Sequence, residues 1–321
     1  MSNYVVSDTS LGSVADAIRT KGGTSAPLTY PQGFIDAIDA ISGGGDEPVP
    51  DDGKTRIFIH ITEDTPDNRL TFYLRFTASV ANNTTVDWGD GTTETLGSTT
   101  AKNYSHKYAK GGDYVITLTV NSGTIAFEGT RGNGGYSIYG VRSASNHCNA
   151  TRIKKVVIGD NVTIGDFAFY KCFSLESVTI QGDTTTIGAY AFDSCYSLTS
   201  ISISNSVTSF GDNNISSTYV LMAITLPDTL VSIGNYFLSN CYGITSITIP
   251  DKVTSMGSWN FNYCNSLSEI HMLPKTPPTL GSTISSMPSD CIIYVPQGCL
   301  NAYQTATNWS TYASKMQEEP T

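Results

Sequence analysis

Apolar positions recur along the second half of the chain with a period of twenty-three residues. Leu175, Leu198, Leu221, Ile244 and Leu267 stand one period apart. Each opens an apolar-x-x-apolar-x-apolar run, closed by Val178/Ile180, Ile201/Ile203, Ile224/Leu226, Ile247/Ile249 and Ile270/Met272. The alternation at the end of each run predicts a short strand with one buried face. A second apolar row, Ile164, Ile187, Phe210, Ile233 and Met256, is followed in every repeat by glycine: Gly165, Gly188, Gly211, Gly234 and Gly257. Glycine there implies a bend at positive φ or a close approach between coils. A third row, Phe169, Phe192, Ile215, Leu238 and Phe261, supplies a corner anchor. One such repeat cannot bury its own apolar rows, whereas a stack buries them continuously, so the pattern predicts a solenoid. Ile153/Val156/Ile158 reads as an imperfect first repeat, and Asn213-Asn214-Ile215 with Thr218 as the place where the pattern departs and the coil is looser or altered for a partner.

Upstream the pattern changes twice. Residues 54–127 show strand alternation at Leu70/Phe72/Leu74/Phe76 and Tyr114/Ile116/Leu118/Val120, with turns at Asp67-Asn68, Asn82-Asn83 and Gly111-Gly112, which predicts a small β-sandwich. Residues 43–53, rich in glycine, proline and aspartate, read as a linker. Residues 1–42 predict two short helices, with stripes Leu11, Val14, Ala15, Ile18 and Phe34, Ile35, Ile38, Ile41. Helices this short cannot build a core alone, so their stripes are expected to dock on a partner or on copies of themselves, Leu11, Val14, Ile18, Phe34 and Ile38 foremost; folding back on the next domain is the alternative. The expected fold class is mainly β: a short N-terminal helical segment, a sandwich, and a solenoid over 128–321 with a C-terminal cap from about residue 273.

Composition narrows the function classes. Only 14% of residues are charged and the formal charge is −10. That balance argues against nucleic acid, whose phosphates need a basic patch. No apolar stretch is long enough to insert in a membrane. Met1-Ser2-Asn3-Tyr4 leads into polar sequence without a basic segment or apolar core, so no secretory signal is expected. Four of the seven cysteines, Cys172, Cys195, Cys241 and Cys264, keep the period, with Thr218 in the fifth slot. They read as a buried ladder of free thiols; disulfides Cys172–Cys195 and Cys241–Cys264 are the alternative, because adjacent coils lie within disulfide reach.

Three stretches resemble known families. Ile187-Gly188-Ala189-Tyr190-Ala191-Phe192-Asp193-Ser194-Cys195-Tyr196-Ser197-Leu198 resembles the BspA-like leucine-rich repeats, and Pro277 to Trp309 is similar to that family's closing sequence. Val86-Asp87-Trp88-Gly89-Asp90-Gly91, His106-Lys107-Tyr108 and Gly112-Asp113-Tyr114 resemble the PKD domain, which implies an immunoglobulin-like sandwich. Leu11 to Ser25, with Leu28-Thr29-Tyr30-Pro31, resembles a short module near the start of phage and prophage tail proteins, which implies docking on other virion structural proteins.

No catalytic motif is present: no nucleophile elbow, Walker loop, zincin helix or dinucleotide fingerprint, so no enzyme and no cofactor are expected. Asp87 and Asp90 could offer oxygen to calcium, but the glycines around them suit a tight turn without an ion; no metal site is expected. Two aromatic stripes are the candidate binding residues. One is Phe173, Tyr196, Tyr219 and Tyr242; the other holds Tyr190, Tyr236 and Trp259, begins at Phe167 and is broken by Asn213. Such rings suit a surface glycan or protein, and equally well they merely cover coil corners. The outward strand row, Thr179, Ser202, Thr225, Thr248 and His271, is neutral and hydroxyl-rich. The expected function is a phage virion appendage (tail, baseplate or head fibre), assembled in the host cytoplasm, that binds a host surface through its repeats. The alternative is a BspA-like adhesin at a bacterial cell surface. A homo-oligomer stays open.

Overall fold

The computed structural model describes residues 49–62, 70–129, 151–284 and 286–320. The chain divides into Met1–Pro50 and Asp51–Thr321; only the second unit is described below. The predicted helices, with Leu11, Val14, Ile18, Phe34 and Ile38, lie outside the described residues, as does most of the linker.

Seven strands form the sandwich: β1 (Thr55–Ile61), β2 (Thr71–Ala78), β3 (Thr84–Asp87), β4 (Thr93–Leu96), β5 (Lys102–Lys107), β6 (Gly112–Val120) and β7 (Ile125–Phe127). Alternation places Ile57, Ile59 and Ile61 of β1 opposite Phe72, Leu74 and Phe76 of β2 in a dry interior. β4, β3, β6 and β1 line one face, and β5, β2 and β7 the other. The turn after β3 is closed by its own side chains. Asp87 accepts from the Gly89 amide at 2.9 Å, and Asp90 from the Thr92 amide at 3.1 Å. Gly89 has φ of 82°, and a Cβ there would meet the Val115 carbonyl at 2.6 Å, so only glycine fits.

The coils follow. One side of the stack carries β8 (Ile153–Ile158), β10 (Ser177–Ile180), β12 (Ser200–Ile203), β15 (Ser246–Ile249), β17 (Glu269–Met272), β19 (Ile292–Val295) and β20 (Met316–Glu318). The other carries β9 (Val162–Ile164), β11 (Thr186–Ile187), β13 (Ser209–Phe210), β14 (Ser232–Ile233), β16 (Ser255–Met256) and β18 (Thr279–Leu280). Pairing between coils is parallel and in register at the period, as in Val178↔Ile201 and Phe210↔Ile233. The first coil is one residue short, pairing Val156↔Val178.

Sandwich and coils share their sheets. β1 takes β8 as an antiparallel neighbour (Ile57↔Val156), and β7 takes β9 as a parallel one (Phe127↔Ile164). The core is continuous across this seam: Phe127 meets Phe169 edge-on at 5.9 Å, and Phe169 stacks on Phe192 at 5.4 Å. An uncovered first coil would present unpaired N–H and C=O groups on both sides, and the sandwich occupies both. At the other end α1 (Leu300–Thr305) and a 3-10 turn, Ser310–Lys315, close the stack. Buried Tyr303 and Trp309 there donate to the carbonyls of Pro274 and Pro278, each at 2.7 Å.

The recurring glycines owe their place to coil spacing. None of Gly165, Gly188, Gly211, Gly234 and Gly257 has positive φ; a Cβ on Gly188 would lie 2.4 Å from the Gly165 carbonyl carbon, and one on Gly211 2.5 Å from the Ala189 nitrogen. Left-handed backbone falls instead on bulky residues of the third side: Phe167 (φ 58°), Tyr190 (58°), Tyr236 (55°) and Trp259 (56°). That conformation is unfavourable for such residues. It turns each amide toward the next coil, where Phe167 donates to Ala189, Tyr190 to Asp212 and Tyr236 to Ser258, all at 2.8 Å.

All six described cysteines are free thiols. Cys195, Cys241 and Cys264 donate through Sγ to the corner carbonyls of Phe169 (3.2 Å), Ile215 (3.1 Å) and Leu238 (2.8 Å) in the preceding coil. The slot therefore needs a small side chain with a donor. Threonine meets that need, and Thr218 Oγ1 lies 3.1 Å from the Cys241 sulfur. Burial pushes the Cys241 thiol up to about 11 and the Cys195 thiol well above its ordinary value.

Candidate partner-binding surface

The first aromatic stripe is a stack. Phe173 and Tyr196 lie 5.0 Å apart between centroids, Tyr196 and Tyr219 4.9 Å, and Tyr219 and Tyr242 5.2 Å, with planes within 18° of parallel. One ring per coil at one slot enforces this spacing, which is that of neighbouring strands. The rings cover one another's faces and leave edges and hydroxyls to solvent; Tyr196, Tyr219 and Tyr242 remain 38–41% exposed. Loss of solvent, together with the neighbouring Tyr196 and Tyr242, raises the Tyr219 pKa.

The second stripe is interrupted. Phe167 stacks on Tyr190 at 4.8 Å and Tyr236 on Trp259 at 5.0 Å, while Asn213 separates the pairs. Trp259 is exposed, and so is Tyr263 on the same coil.

The coil between the pairs departs from the rest, but on a different side from the one the sequence suggests. On the loop side Asn213 and Ser217 keep their bonds to Asn235 and Ser239, each at 2.7 Å. The loss is on the strand side. Leu221, Ile224 and Leu226 hold their period, yet no strand forms between β12 and β15, and that sheet breaks there. The break falls at the coil that carries Met222. In two other coils a hydroxyl at that slot bonds back one coil: Thr199 Oγ1 to the Glu176 carbonyl at 3.0 Å, and Ser268 Oγ to the Thr245 carbonyl at 3.1 Å. Methionine cannot make that bond. Its side chain is 73% exposed, beside Val220 at 44%. These two residues were not among the sequence candidates. Comparing slots across repeats reveals them: the slot of Val220 otherwise holds Ser174, Ser197, Gly243 and Ser266, and that of Met222 holds Glu176, Thr199, Thr245 and Ser268.

Beneath the stripe lies one buried carboxyl, Asp193. Burial raises its pKa against the opposing hydrogen bonds from Ser216 and Ser194. In the sandwich, His106 stacks on Trp88 at 4.8 Å and bonds Asp90 at 2.7 Å. Burial opposes ionisation of Asp90, but hydrogen bonds from Thr92 and His106 outweigh it and lower its pKa. Its oxygens are thus already engaged. Among the described residues no cluster of His, Cys, Asp or Glu is placed to hold a metal ion, and no helix is long and apolar enough to cross a membrane.

These features define a parallel β coil of leucine-rich-repeat type with an aromatic ridge. More specifically, residues 162–286 match the BspA type leucine rich repeat region in six copies, and this stretch is such a region. Among solved structures the chain is similar to a leucine-rich repeat protein of T. pallidum (21% identity, covering 55% of this chain and 76% of that one, TM-score 0.41). It is also similar to the pneumococcal vaccine antigen PcpA (18%, 57% and 42%, TM-score 0.41) and to a leucine-rich cell surface protein of Faecalibacterium prausnitzii (24%, 56% and 65%, TM-score 0.33). The chain thus spans less than half of PcpA. Comparison with curated proteins returns no match.

Proposed function

We propose that the chain is a non-enzymatic, adhesin-type protein of a bacterial cell surface, whose repeats hold a partner while the sandwich, PKD-like in its turn and strand motifs, caps and spaces them. The observation that carries this reading is the exposed tyrosine stack on a BspA-type repeat region. A stack of coils offers a long, regular surface without an enclosed site, which suits binding. The virion appendage reading draws on residues 11–31, outside the described region, and the repeat match gives it no support.

The test is immunolabelling with antibody to the full chain. Intact, uninfected producer cells should be labelled at their surface. Labelling confined to purified phage particles would contradict the proposal and restore the appendage reading.

A further inference from the structure

We infer that the partner of the repeats is a polypeptide, and that its apolar anchor seats on the Val220–Met222 segment between the stacked tyrosines. The inference rests on the adhesin-type reading of the repeats and names the chemistry of the partner.

Three observations carry it. The first concerns what the tyrosines can offer. A sugar packs on an aromatic ring through the ring face, and the faces of Tyr196 and Tyr219 are covered on both sides by stacked neighbours. The edges and hydroxyls that remain suit the side chains and backbone of a protein, where tyrosine and methionine are enriched in contact cores.

Second, Val220 and Met222 replace the small or polar residues of every other coil in their slots. Coil geometry does not ask for them; Met222 lacks the hydroxyl that Thr199 and Ser268 use between coils, and its coil lies outside the sheet on that side. An exposed apolar pair, flanked by Tyr196, Tyr219 and Tyr242, has the make-up of a binding hot spot. Methionine's flexible thioether adapts to an irregular apolar knob.

Third, the charge pattern matches an uncharged anchor. The chain carries −10 overall, yet Tyr196, Tyr219, Val220, Met222 and Tyr242 include no charged side chain. Asp193, a carboxyl acting on Tyr219, is buried, and burial raises its pKa. An aliphatic or aromatic side chain can be desolvated there without stranding a charge. The overall negative charge disfavours a second copy of the chain as occupant and favours a foreign partner with neutral or basic flanks.

The experiment selects a phage-displayed random peptide library on the full chain and on the double variant Val220→Ser/Met222→Thr, which restores residues that neighbouring coils carry. Unchanged thermal unfolding, or a rise, shows that the variant folds. The expected result is a family of peptides with an aliphatic or aromatic anchor whose affinity falls about tenfold or more on the variant. The same two proteins are placed on an array of immobilised glycans. Peptides bound equally by both proteins, or no enriched peptide, would overturn the inference, as would glycan binding that the double substitution abolishes. Because no cell is involved, these results separate from failure of the surface reading, which immunolabelling decides.

Discussion

Phe169→Ala tests whether sandwich and coils stand or fall together. The ring is fully buried at the seam, edge-on to Phe127 of the sandwich and parallel to Phe192 of the next coil. Truncating a buried phenylalanine costs about 3–5 kcal/mol when the cavity cannot collapse. Collapse is restricted here, because the backbone around it is fixed by ladders on both sides, Phe127↔Ile164 on one and the Phe169 amide to the Ala191 carbonyl at 2.7 Å on the other. Each lost ring pair adds roughly 0.5–1.5 kcal/mol beyond buried area, which places the expected loss toward the upper part of that range. Native-state hydrogen exchange with peptide-level mass spectrometry reads the effect without added probes. Amides of β1 and β6 in the sandwich and of β8 and β10 in the coils should lose protection together, by roughly three to four powers of ten. If β1 and β6 keep their native protection while β8 and β10 lose theirs, the shared core is not one cooperative unit and the reasoning fails.

Other consequences follow from particular contacts. Gly211→Ala should destabilise the chain by about 1–3 kcal/mol in denaturant titrations, since its Cβ would sit 2.5 Å from the Ala189 nitrogen; a neutral outcome would show that the coils can spread. In a thiol-labelling experiment on the native chain, half-buried Cys299 should react while Cys195, Cys241 and Cys264 stay silent until unfolding, because burial keeps them protonated; early labelling of any of the three would refute the buried ladder. Asp193→Asn should become more favourable relative to the native chain as pH rises. The folded-state pKa is raised, so the native carboxyl's contribution is full below the ordinary carboxylate range and is lost as pH climbs through the raised value. Urea titrations at about pH 3 and about pH 7 bracket the window, and a pH-independent difference would remove the assignment. Met222→Thr alone should raise stability by about 0.5–1.5 kcal/mol through a coil-to-coil hydrogen bond like those of Thr199 and Ser268; a loss in the same titration would show that a hydroxyl at this slot makes no such bond.

The coils were legible because one slot recurs in one environment. Leu175, Leu198, Leu221, Ile244 and Leu267 are all buried, as the period requires, and so are the corner anchors and the four periodic cysteines. The glycine slots left two readings open, since an isolated glycine satisfies positive φ and close approach alike; the spacing between coils decides for approach. The seam was not legible. β1 and β8 pair across roughly a hundred residues of intervening chain, and nothing in either strand names its partner. The sequence pointed to the right coil but to the wrong side of it, for a similar reason. Asn213 and Thr218 change the visible motif but preserve what their slots must do, asparagine accepting left-handed backbone at φ 51° and threonine supplying a donor. Met222 leaves the apolar rhythm intact and removes a hydroxyl whose role shows only when coils are laid side by side. The aromatic stripes were visible as stripes; that stacking occupies their faces required coordinates.

The central claim is that the exposed ridge of the repeats holds a surface partner. Its most direct test is quantitative binding of the labelled full chain to intact cells of the environment the producer inhabits, against the triple variant Tyr196→Ala/Tyr219→Ala/Tyr242→Ala. Native stability of the variant is checked by hydrogen exchange in β10 and β17. Saturable binding by the native chain, weakened about tenfold or more in the variant, is the predicted result. Equal saturable binding by both proteins would contradict it.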